Sequence, residues 1–373
     1  MNIIDKIIKK QFNISSIVLK NFMSLPNEKI GFSKINIFIG KNGSGKSQII
    51  KLIYSLILSN NEIEKTDDAS EYEKQRIIAN NLIEVFKTDK LGNLVNYNHK
   101  EATIEINFDI YKLNFKFGSM AKKEMNKIDT NSLAFSPIYR NSVFIPTKEI
   151  LSFFKGFRIL YEDRDLEFDK TYYELARTLE RSLLKENKLN DIQDKLEKIL
   201  NGKIEIENGK FYLLTNDNKK LEINLIAEGL RKIAMLSYLI ANGSLTNSSI
   251  LFWDEPESNM HPQLIDNIVQ FLAILANRGM QIFITTHSPY VIESFNNHLK
   301  RYKIKDKKID DIEIKNLEPL NPEDVKAYLL EDEKITSLIN KEFGLIDDKL
   351  LNEFNKISLI YEKMRDIEWE ENE

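Results

Sequence analysis

A glycine-rich segment early in the chain carries the residue pattern best suited to chemistry. Its spacing is G-x-x-x-x-G-K-[ST], and its residues are Gly40, Lys41, Asn42, Gly43, Ser44, Gly45, Lys46 and Ser47. Glycines let the backbone curl so that successive N–H groups, in front of the positive end of a helix, face one phosphate. Lys46 is predicted to reach the β- and γ-phosphates of a nucleotide, and Ser47 to hold Mg²⁺.

The residues on either side of this segment determine whether the pattern marks a nucleotide-binding site. Residues 34–39 form a short apolar run rich in β-branched and aromatic residues, which predicts a buried strand ending at Gly40. From Ser47 to Leu56 apolar residues recur at helical spacing. A strand, a glycine-rich loop and a helix are the context in which this pattern marks a nucleotide site.

The second motif is the stretch 249–257, in which four apolar residues run into acidic ones. A buried parallel strand would deliver these carboxylates to the edge of a sheet where ligands bind. Asp254 is predicted to hold Mg²⁺ through its water shell or through Ser47. Glu255 is predicted to orient or to deprotonate an attacking water. Because side chains alternate along a strand, Glu255 should point away from Asp254 and take a different role.

Two further motifs follow the same reasoning. The stretch 281–290 predicts another buried strand, which ends at His287, a side chain that could bond the γ-phosphate or the attacking water. The stretch 225–232 predicts a strand that gives way to a helix near Ala227. By itself this helix start suggests only exposed N–H groups and nearby positive charge.

The order of predicted elements divides the chain into five segments. We expect the first part of a nucleotide-binding core in 1–60, inserted helices and a β-hairpin in 61–163, a helical lobe in 164–201, the second part of the core in 202–317, and an acidic helical segment in 318–373. The hairpin is predicted from period-two alternation in 102–110 and 112–117. The strands before the glycine-rich loop suggest an antiparallel ribbon beside a central parallel sheet.

Composition narrows the class of protein. The chain has 373 residues, of which 42% are hydrophobic and 29% charged, and it has no cysteine. Disulfides and thiol chemistry are therefore excluded, and a reducing cytoplasm is expected. No apolar run reaches the roughly 18 residues that a membrane helix needs. Residues 318–373 contain 16 acidic and 7 basic residues, which leaves a net charge of +5 on 1–317 and permits nucleic-acid contact without arguing for it.

Taken together, the four motifs resemble those of ABC-type ATPase heads in the OLD, RecF and SMC-like group. The similarity covers residues 14–297 and is greatest to stand-alone OLD-like ATPases, often labelled "AAA family ATP-binding protein". It implies an α/β fold of the P-loop NTPase, ABC-ATPase type, with a central parallel sheet, an antiparallel β subdomain and a short helical insertion. It also implies ATP and Mg²⁺ as ligands.

The resemblance further implies that two subunits close face to face on ATP. The signature helix of one subunit would then cap the γ-phosphate held by the other, and its residues here would be Ala227, Glu228, Gly229, Arg231 and Lys232. Asp254 and Glu255 would act within their own subunit, with residues 258–259 at the seam. A serine usually occupies the position of Ala227, so its hydroxyl contact is missing, and Arg231 or Lys232 is expected to compensate.

Departures from the family pattern also inform function. Such heads place a glutamine between the phosphate loop and the signature, but no glutamine occurs between Gln75 and Gln193, so Thr147, Lys148 or Glu149 would take that position, or none does. About 75 residues follow the His287 region, too few for the TOPRIM nuclease domain of OLD nucleases. The stretch 164–201 is too short for an SMC-like coiled-coil arm.

These features lead to one expected function and two alternatives. We expect a Mg²⁺-dependent ATPase that dimerises on ATP, has no intrinsic nuclease, and gates a separate effector such as a nuclease, in the setting of bacterial antiphage defence. One alternative is a RecF-like repair factor that uses ATP to switch DNA binding. The other is the ATPase subunit of a membrane transporter, although Ala-Glu-Gly replaces the usual transporter signature.

Overall fold

The described part of the chain covers most of the sequence. The structure is a computed structural model and describes residues 13–66, 69–109, 112–123, 127–129, 141–164, 166–185, 189–304, 311–340, 342–347 and 359–365. Residues 1–12 of the first predicted segment, and parts of the last one, lie outside the described residues. Within the described ranges, no helix has both the length and the apolar character needed to cross a membrane.

The strands form three sheets. In chain order they are β1 (Ile14–Lys20), β2 (Lys29–Gly31), β3 (Ile35–Ile39), β4 (Glu101–Phe108), β5 (Lys112–Gly118), β6 (Lys127–Asp129), β7 (Ser142–Ile145), β8 (Gly202–Glu207), β9 (Lys210–Thr215), β10 (Lys220–Glu222), β11 (Ile250–Asp254), β12 (Gln281–Thr286), β13 (Val325–Glu331) and β14 (Lys334–Ser337). The central sheet has the order β14-β13-β3-β12-β11-β7, the second β2-β1-β4-β5-β6, and the third β10-β9-β8.

Helices connect and cover these sheets. They are α1 (Lys46–Ile63), α2 (Glu71–Phe86), α3 (Phe157–Asp163), α4 (Lys170–Leu179), α5 (Asn190–Leu200), α6 (Glu228–Ala241), α7 (Pro262–Asn277), α8 (Pro289–Lys303) and α9 (Ile312–Asn316). The helical lobe predicted in 164–201 consists of α4 and α5. Helix α3, which precedes them, was not predicted.

Residues of the central sheet alternate between two hydrophobic cores. From β7 to β3, one row of paired residues is Ile145, Trp253, Ile284 and Ile37, and all four belong to one core. The adjacent row carries Phe144, Phe252 and Phe283, which belong to the other core and stack at centroid distances of 6.2 and 5.0 Å. Both faces of the sheet are therefore dry, which explains the continuous apolar runs that predicted buried parallel strands.

The antiparallel sheet matches the expected ribbon and hairpin. Strand β1 pairs with β2 on one side and with β4 on the other, and β4 pairs with β5 along its length. Along β5, residues Leu113, Phe115 and Phe117 are buried, as the period-two pattern predicted. The sheet packs its apolar face against helices α1 and α2, since residues of all these elements share one core.

The expectation that 318–373 is helical is wrong for its first part. Strand β13 pairs in parallel with β3, next to the phosphate loop, and β14 returns antiparallel to it. The turn between them uses Asp332 and Glu333, both in the left-handed conformation with φ of 49° and 56°. Such a turn is normally recognised in a sequence by glycine or asparagine. Here both positions are acidic and lie in an acidic segment, so the sequence did not indicate the hairpin.

Strand β13 should therefore be as important to stability as any core strand. Leu330 is 1% exposed, whereas Leu225 is 78% exposed and serves as a matched control. We expect Leu330→Ala to lower the free energy of unfolding by about 2–5 kcal/mol, and Leu225→Ala to change it by less than about 0.5 kcal/mol. Urea titration followed by circular dichroism measures both. Equal effects of the two substitutions would show that β13 is peripheral to the fold.

Candidate nucleotide-binding site

The phosphate loop lies between the end of β3 and the start of α1. Gly43 and Gly45 have φ values of 80° and 96°, in the left-handed region that favours glycine. A Cβ on Gly45 would lie 2.7 Å from the end of the Leu25 side chain and would displace it, in addition to the backbone strain. The hydroxyl oxygen of Ser44 is buried and has no hydrogen-bond partner among the described residues. A curled loop with an unpartnered hydroxyl fits a bound phosphate.

The ammonium of Lys46 points back into this loop. It donates hydrogen bonds to the carbonyl oxygens of Gly40 at 2.7 Å and Lys41 at 2.8 Å, and the residue is buried. Burial lowers the pKa of Lys46, while the nearby carboxylates of Glu255 and Asp254 act in the opposite direction. The ammonium is thus already at the mouth of the loop and faces the acidic strand end.

Ser47 and Asp254 meet where the sequence predicted a Mg²⁺ site. The hydroxyl of Ser47 donates to Asp254 Oδ1 at 2.8 Å, and the hydroxyl of Thr285 donates to the same oxygen at 2.5 Å. Asp254 lies opposite Thr285 in the parallel pairing of β11 and β12. A carboxylate and a hydroxyl are the hard oxygen ligands that Mg²⁺ prefers, so these residues fit the ion. Thr285 was not predicted, although its register with Asp254 follows once β11 and β12 are paired.

The Glu255 carboxylate contacts different groups from that of Asp254, but Glu255 follows the last residue of β11, so strand alternation is not the cause. Its backbone is left-handed, with φ of 50°, and its N–H donates to the hydroxyl of Thr285 at 3.0 Å. One carboxylate oxygen lies 3.2 Å from His287 Nδ1, and the other accepts from the Ser258 hydroxyl at 3.4 Å. A non-glycine residue held in this conformation at a strand end is typical of a functional position.

Glu257 connects the acidic strand end to the strand that carries His287. Its Oε1 accepts hydrogen bonds from the Thr286 hydroxyl at 2.7 Å and from the His287 N–H at 3.1 Å. Burial raises the pKa of Glu257, against the effect of these bonds and of the His287 ring. The role of Glu257 was not predicted, and the available signal was its position in the run of acids that begins at Asp254.

The helix start predicted as a signature lies beside residues 255–259 of its own chain, which we call the acidic turn. Ala227 is the exposed N-cap of α6 and contributes no side-chain cap. Glu228 accepts a hydrogen bond from the Asn259 side chain at 3.0 Å. A Cβ on Gly229 would lie 3.3 Å from the Asn259 carbonyl oxygen, so the close approach favours glycine. Residues 258–259 therefore adjoin the signature, consistent with one continuous surface.

Arg231 and Lys232 both bind groups of their own chain. Arg231 Nε lies 2.7 Å from a carboxylate oxygen of the buried Glu149, and its guanidinium donates to the Ile226 carbonyl at 3.0 Å. Lys232 is 0% exposed, and its ammonium donates to the Ser258 carbonyl at 2.8 Å. Both cations are engaged within their own chain. The expectation that one of them replaces the missing serine hydroxyl toward a second subunit stays a prediction, and these contacts within the chain do not favour it.

Residues 147–149, the candidates for the position of the missing glutamine, lie in two different environments. Glu149 is buried and pairs with Arg231, while Thr147 and Lys148 line a cleft of about 550 Å³ that also contains Glu257, His287 and Ser258. Lys148 thus adjoins the acidic strand end. Its proposed role in place of the glutamine stays a prediction.

The burial of Glu257 predicts a pH dependence of stability. Because its folded pKa is raised, the folded chain keeps the proton where the unfolded chain has released it, so stability falls as pH rises through the folded pKa. Glu257→Gln cannot ionise and escapes this loss. The free energy of unfolding of the variant minus that of the native protein should increase as pH rises from 4.5, the ordinary pKa of a glutamate, through the raised folded pKa.

Urea unfolding at a series of pH values measures this difference. Glu293→Gln, on the exposed face of α8, gives the effect of removing a surface carboxyl under the same conditions. A Glu257→Gln difference that stays constant with pH would contradict an ionisation change at Glu257.

The chain is similar in sequence to proteins of a described family. The family model described as "AAA domain, putative AbiEii toxin, Type IV TA system" matches residues 35–293. A Helicobacter pylori protein named "ATP/GTP phosphatase" is 22% identical over 339 residues, which cover 75% of this chain and 86% of that protein.

Solved structures establish the fold. An Smc head bound to the C-winged helix domain of ScpA has a TM-score of 0.53 and 14% identity, and covers 88% of this chain and 98% of its own. An Smc head with an extended coiled coil, bound to the C-terminal domain of ScpA derived from Pyrococcus furiosus, has a TM-score of 0.50 and 13% identity, and covers 95% of this chain and 100% of its own. The predicted α/β fold and the resemblance to ABC-type ATPase heads are confirmed, and the chain belongs to the family of the AAA domain described with the AbiEii toxin.

Proposed function

We propose that this protein is a Mg²⁺-dependent ATPase. The observation that carries the proposal is the convergence of Lys46, Ser47, Asp254, Glu255 and His287 at the carboxyl edge of one parallel sheet, where such folds bind ligands. The name of the Helicobacter pylori relative supports a nucleoside triphosphate as substrate.

The phosphate loop would bind the triphosphate, with Lys46 as its principal cation. The ammonium has three N–H donors, and two of them already bind the loop carbonyls. Binding both the β- and the γ-phosphate would therefore replace at least one of these loop bonds. Ser47 and Asp254 would hold Mg²⁺. When bound there, the ion would supply positive charge against the negative charge of the triphosphate.

Glu255 is the candidate base. Its carboxylate would orient the attacking water or accept its proton, and His287, 3.2 Å away, fixes the direction of that carboxylate. The Ser258 hydroxyl binds the second carboxylate oxygen and restrains it further. Asp254 is unsuited to this role because Ser47 and Thr285 both donate to one of its oxygens. The two neighbouring carboxylates thus divide metal binding from proton transfer.

Hydrolysis would require a second copy of the chain. Ala227 is exposed at the start of α6, where the first N–H groups of a helix have no partner within it. These N–H groups, with Glu228 and Gly229, would bind the γ-phosphate held by the other copy. Arg231 and Lys232 would support this helix start from inside their own chain rather than contact the phosphate.

The output of ATP turnover would be control of a separate effector protein. The family description refers to a toxin of a toxin–antitoxin system, which supports a setting in which activity must be held in check. In the resemblance to stand-alone OLD-like ATPases, that effector would be a nuclease in antiphage defence. ATP-driven closure of two heads would provide the two states that such control needs.

ATP turnover tests the proposal directly. Lys46→Ala removes the phosphate-binding cation and Glu255→Gln the candidate base, and each should lower kcat by about 100-fold or more. Lys300→Ala and Glu293→Gln make the same chemical changes on the exposed face of α8 and should leave turnover unchanged. Phosphate release assayed with Mg²⁺ and ATP measures all four variants. Equal rates for Glu255→Gln and Glu293→Gln would exclude the proposed base.

ATP-driven assembly gives a second prediction. Glu255→Gln should bind ATP without hydrolysing it and so accumulate the closed pair of heads. The mass of one chain is 43.6 kDa. Light scattering with Mg²⁺ and ATP should then show twice this mass. The double variant Lys46→Ala, Glu255→Gln should give the same mass with and without ATP. A Glu255→Gln mass that does not respond to ATP contradicts closure.

A further inference from the structure

Lys232 is a fully buried cation that the proposed reaction does not use directly. It is the fifth residue of α6, is 0% exposed, and donates to the carbonyl oxygen of Ser258 at 2.8 Å. Its ammonium also lies 3.5 Å from the carbonyl oxygen of Glu255. The side chain therefore joins the start of the signature helix to two carbonyl oxygens of the acidic turn 255–259.

That turn holds an unfavourable backbone conformation. Glu255 and Asn259 both have positive φ, 50° and 59°, and neither is glycine. Within the turn, the N–H of Ser258 donates to the Glu255 carbonyl at 3.1 Å. Left-handed non-glycine residues cost about 1 kcal/mol or more each and persist only when surrounding contacts enforce them. A cation donating to the carbonyls of Glu255 and Ser258 provides such a contact.

Burying an ammonium costs more free energy than burying an apolar side chain, so a specific interaction must explain its presence. Burial lowers the pKa of Lys232, and the acidic groups around it, first among them Glu228, oppose that effect. An apolar side chain would avoid the cost of burying a charge but would leave the Ser258 carbonyl without this donor. We therefore expect Lys232 to fix the backbone of the acidic turn rather than only to fill space.

We propose that Lys232 is a positioning residue for Glu255. By binding the carbonyl oxygens of Glu255 and Ser258, it holds the acidic turn so that the Glu255 carboxylate faces His287 and the attacking water. The inference rests on the proposed role of Glu255 in ATP hydrolysis. It also joins two motifs within one chain, because the helix start that meets a second copy is bonded to the turn that carries the base.

Arg301 provides a matched control for the loss of a buried cation. It is 8% exposed, and its guanidinium donates to the carbonyl oxygens of Ile314 and Ile304 at 3.1 and 3.2 Å. It lies near the carboxyl end of α8, whereas the site lies before the amino end of that helix. Arg301→Met thus removes the same kind of contact without touching the acidic turn.

The experiment compares Lys232→Met with Arg301→Met in the full chain. For Lys232→Met we expect kcat for ATP to fall about 10–100-fold, because small displacements of a catalytic group have effects of that size. The affinity for a fluorescent ATP analogue should stay within about 3-fold of native, since the phosphate loop is unchanged. Arg301→Met should lower the melting temperature and leave kcat unchanged.

Hydrogen exchange supplies a readout that does not depend on turnover. Amides of residues 255–260 should exchange faster in Lys232→Met than in the native protein, and at the native rate in Arg301→Met. If native protein hydrolyses no ATP, the proposed function fails, while this comparison still decides whether Lys232 holds the turn.

Lys232→Arg keeps a donating cation and is the second variant if Lys232→Met does not fold. It should retain a kcat within about 10-fold of native and near-native exchange in 255–260. A native kcat in Lys232→Met, an equal loss of kcat in Arg301→Met, or unchanged exchange in 255–260 would each overturn the inference.

Discussion

The parallel pairing of β3, β12 and β11 is the constraint on which the site depends. Thr286 pairs with Ile39 at the end of β3, and Asp254 pairs with Thr285, so three strands end at one level. Because both faces of this sheet are covered by hydrophobic cores, polar side chains can leave the strands only at their ends. The pairing therefore concentrates the phosphate loop, the acids and His287 along one edge, although they lie far apart in the sequence.

Charge at that edge is arranged so that neighbouring acids differ. Asp254 accepts hydroxyl hydrogen bonds, Glu255 faces the half-exposed His287, and Glu257 is buried against the strand that carries Thr286. Burial raises the pKa of Glu257, whereas the ammonium of Lys46 nearby is stabilised by all three acids. Each carboxylate is thus suited to one task, and the strand bearing His287 is bonded to the acidic turn rather than merely adjacent to it.

The sequence predicted the parts of the site that are local and left out those that depend on long-range contacts. The phosphate loop and the strands ending at Asp254 and Thr286 follow from apolar runs beside short motifs, and the structure has these elements where they were predicted. The partnership of Glu149 with Arg231 joins residues far apart in the chain, and nothing in either segment indicates it. The β13–β14 hairpin was missed because its left-handed turn is made by acids.

Three side chains at the start of α6 contact more distant parts of their own chain. Glu228 accepts from Asn259, Arg231 pairs with Glu149, and Lys232 binds the carbonyl of Ser258. Two of these contacts involve the acidic turn, and the third reaches the segment that follows β7, where related heads place a glutamine. If the start of α6 moved, either these bonds would break or the acidic turn would move with the helix. Since buried ionic and hydrogen-bonded contacts are costly to break singly, the helix start and the turn bearing Glu255 should move as one unit.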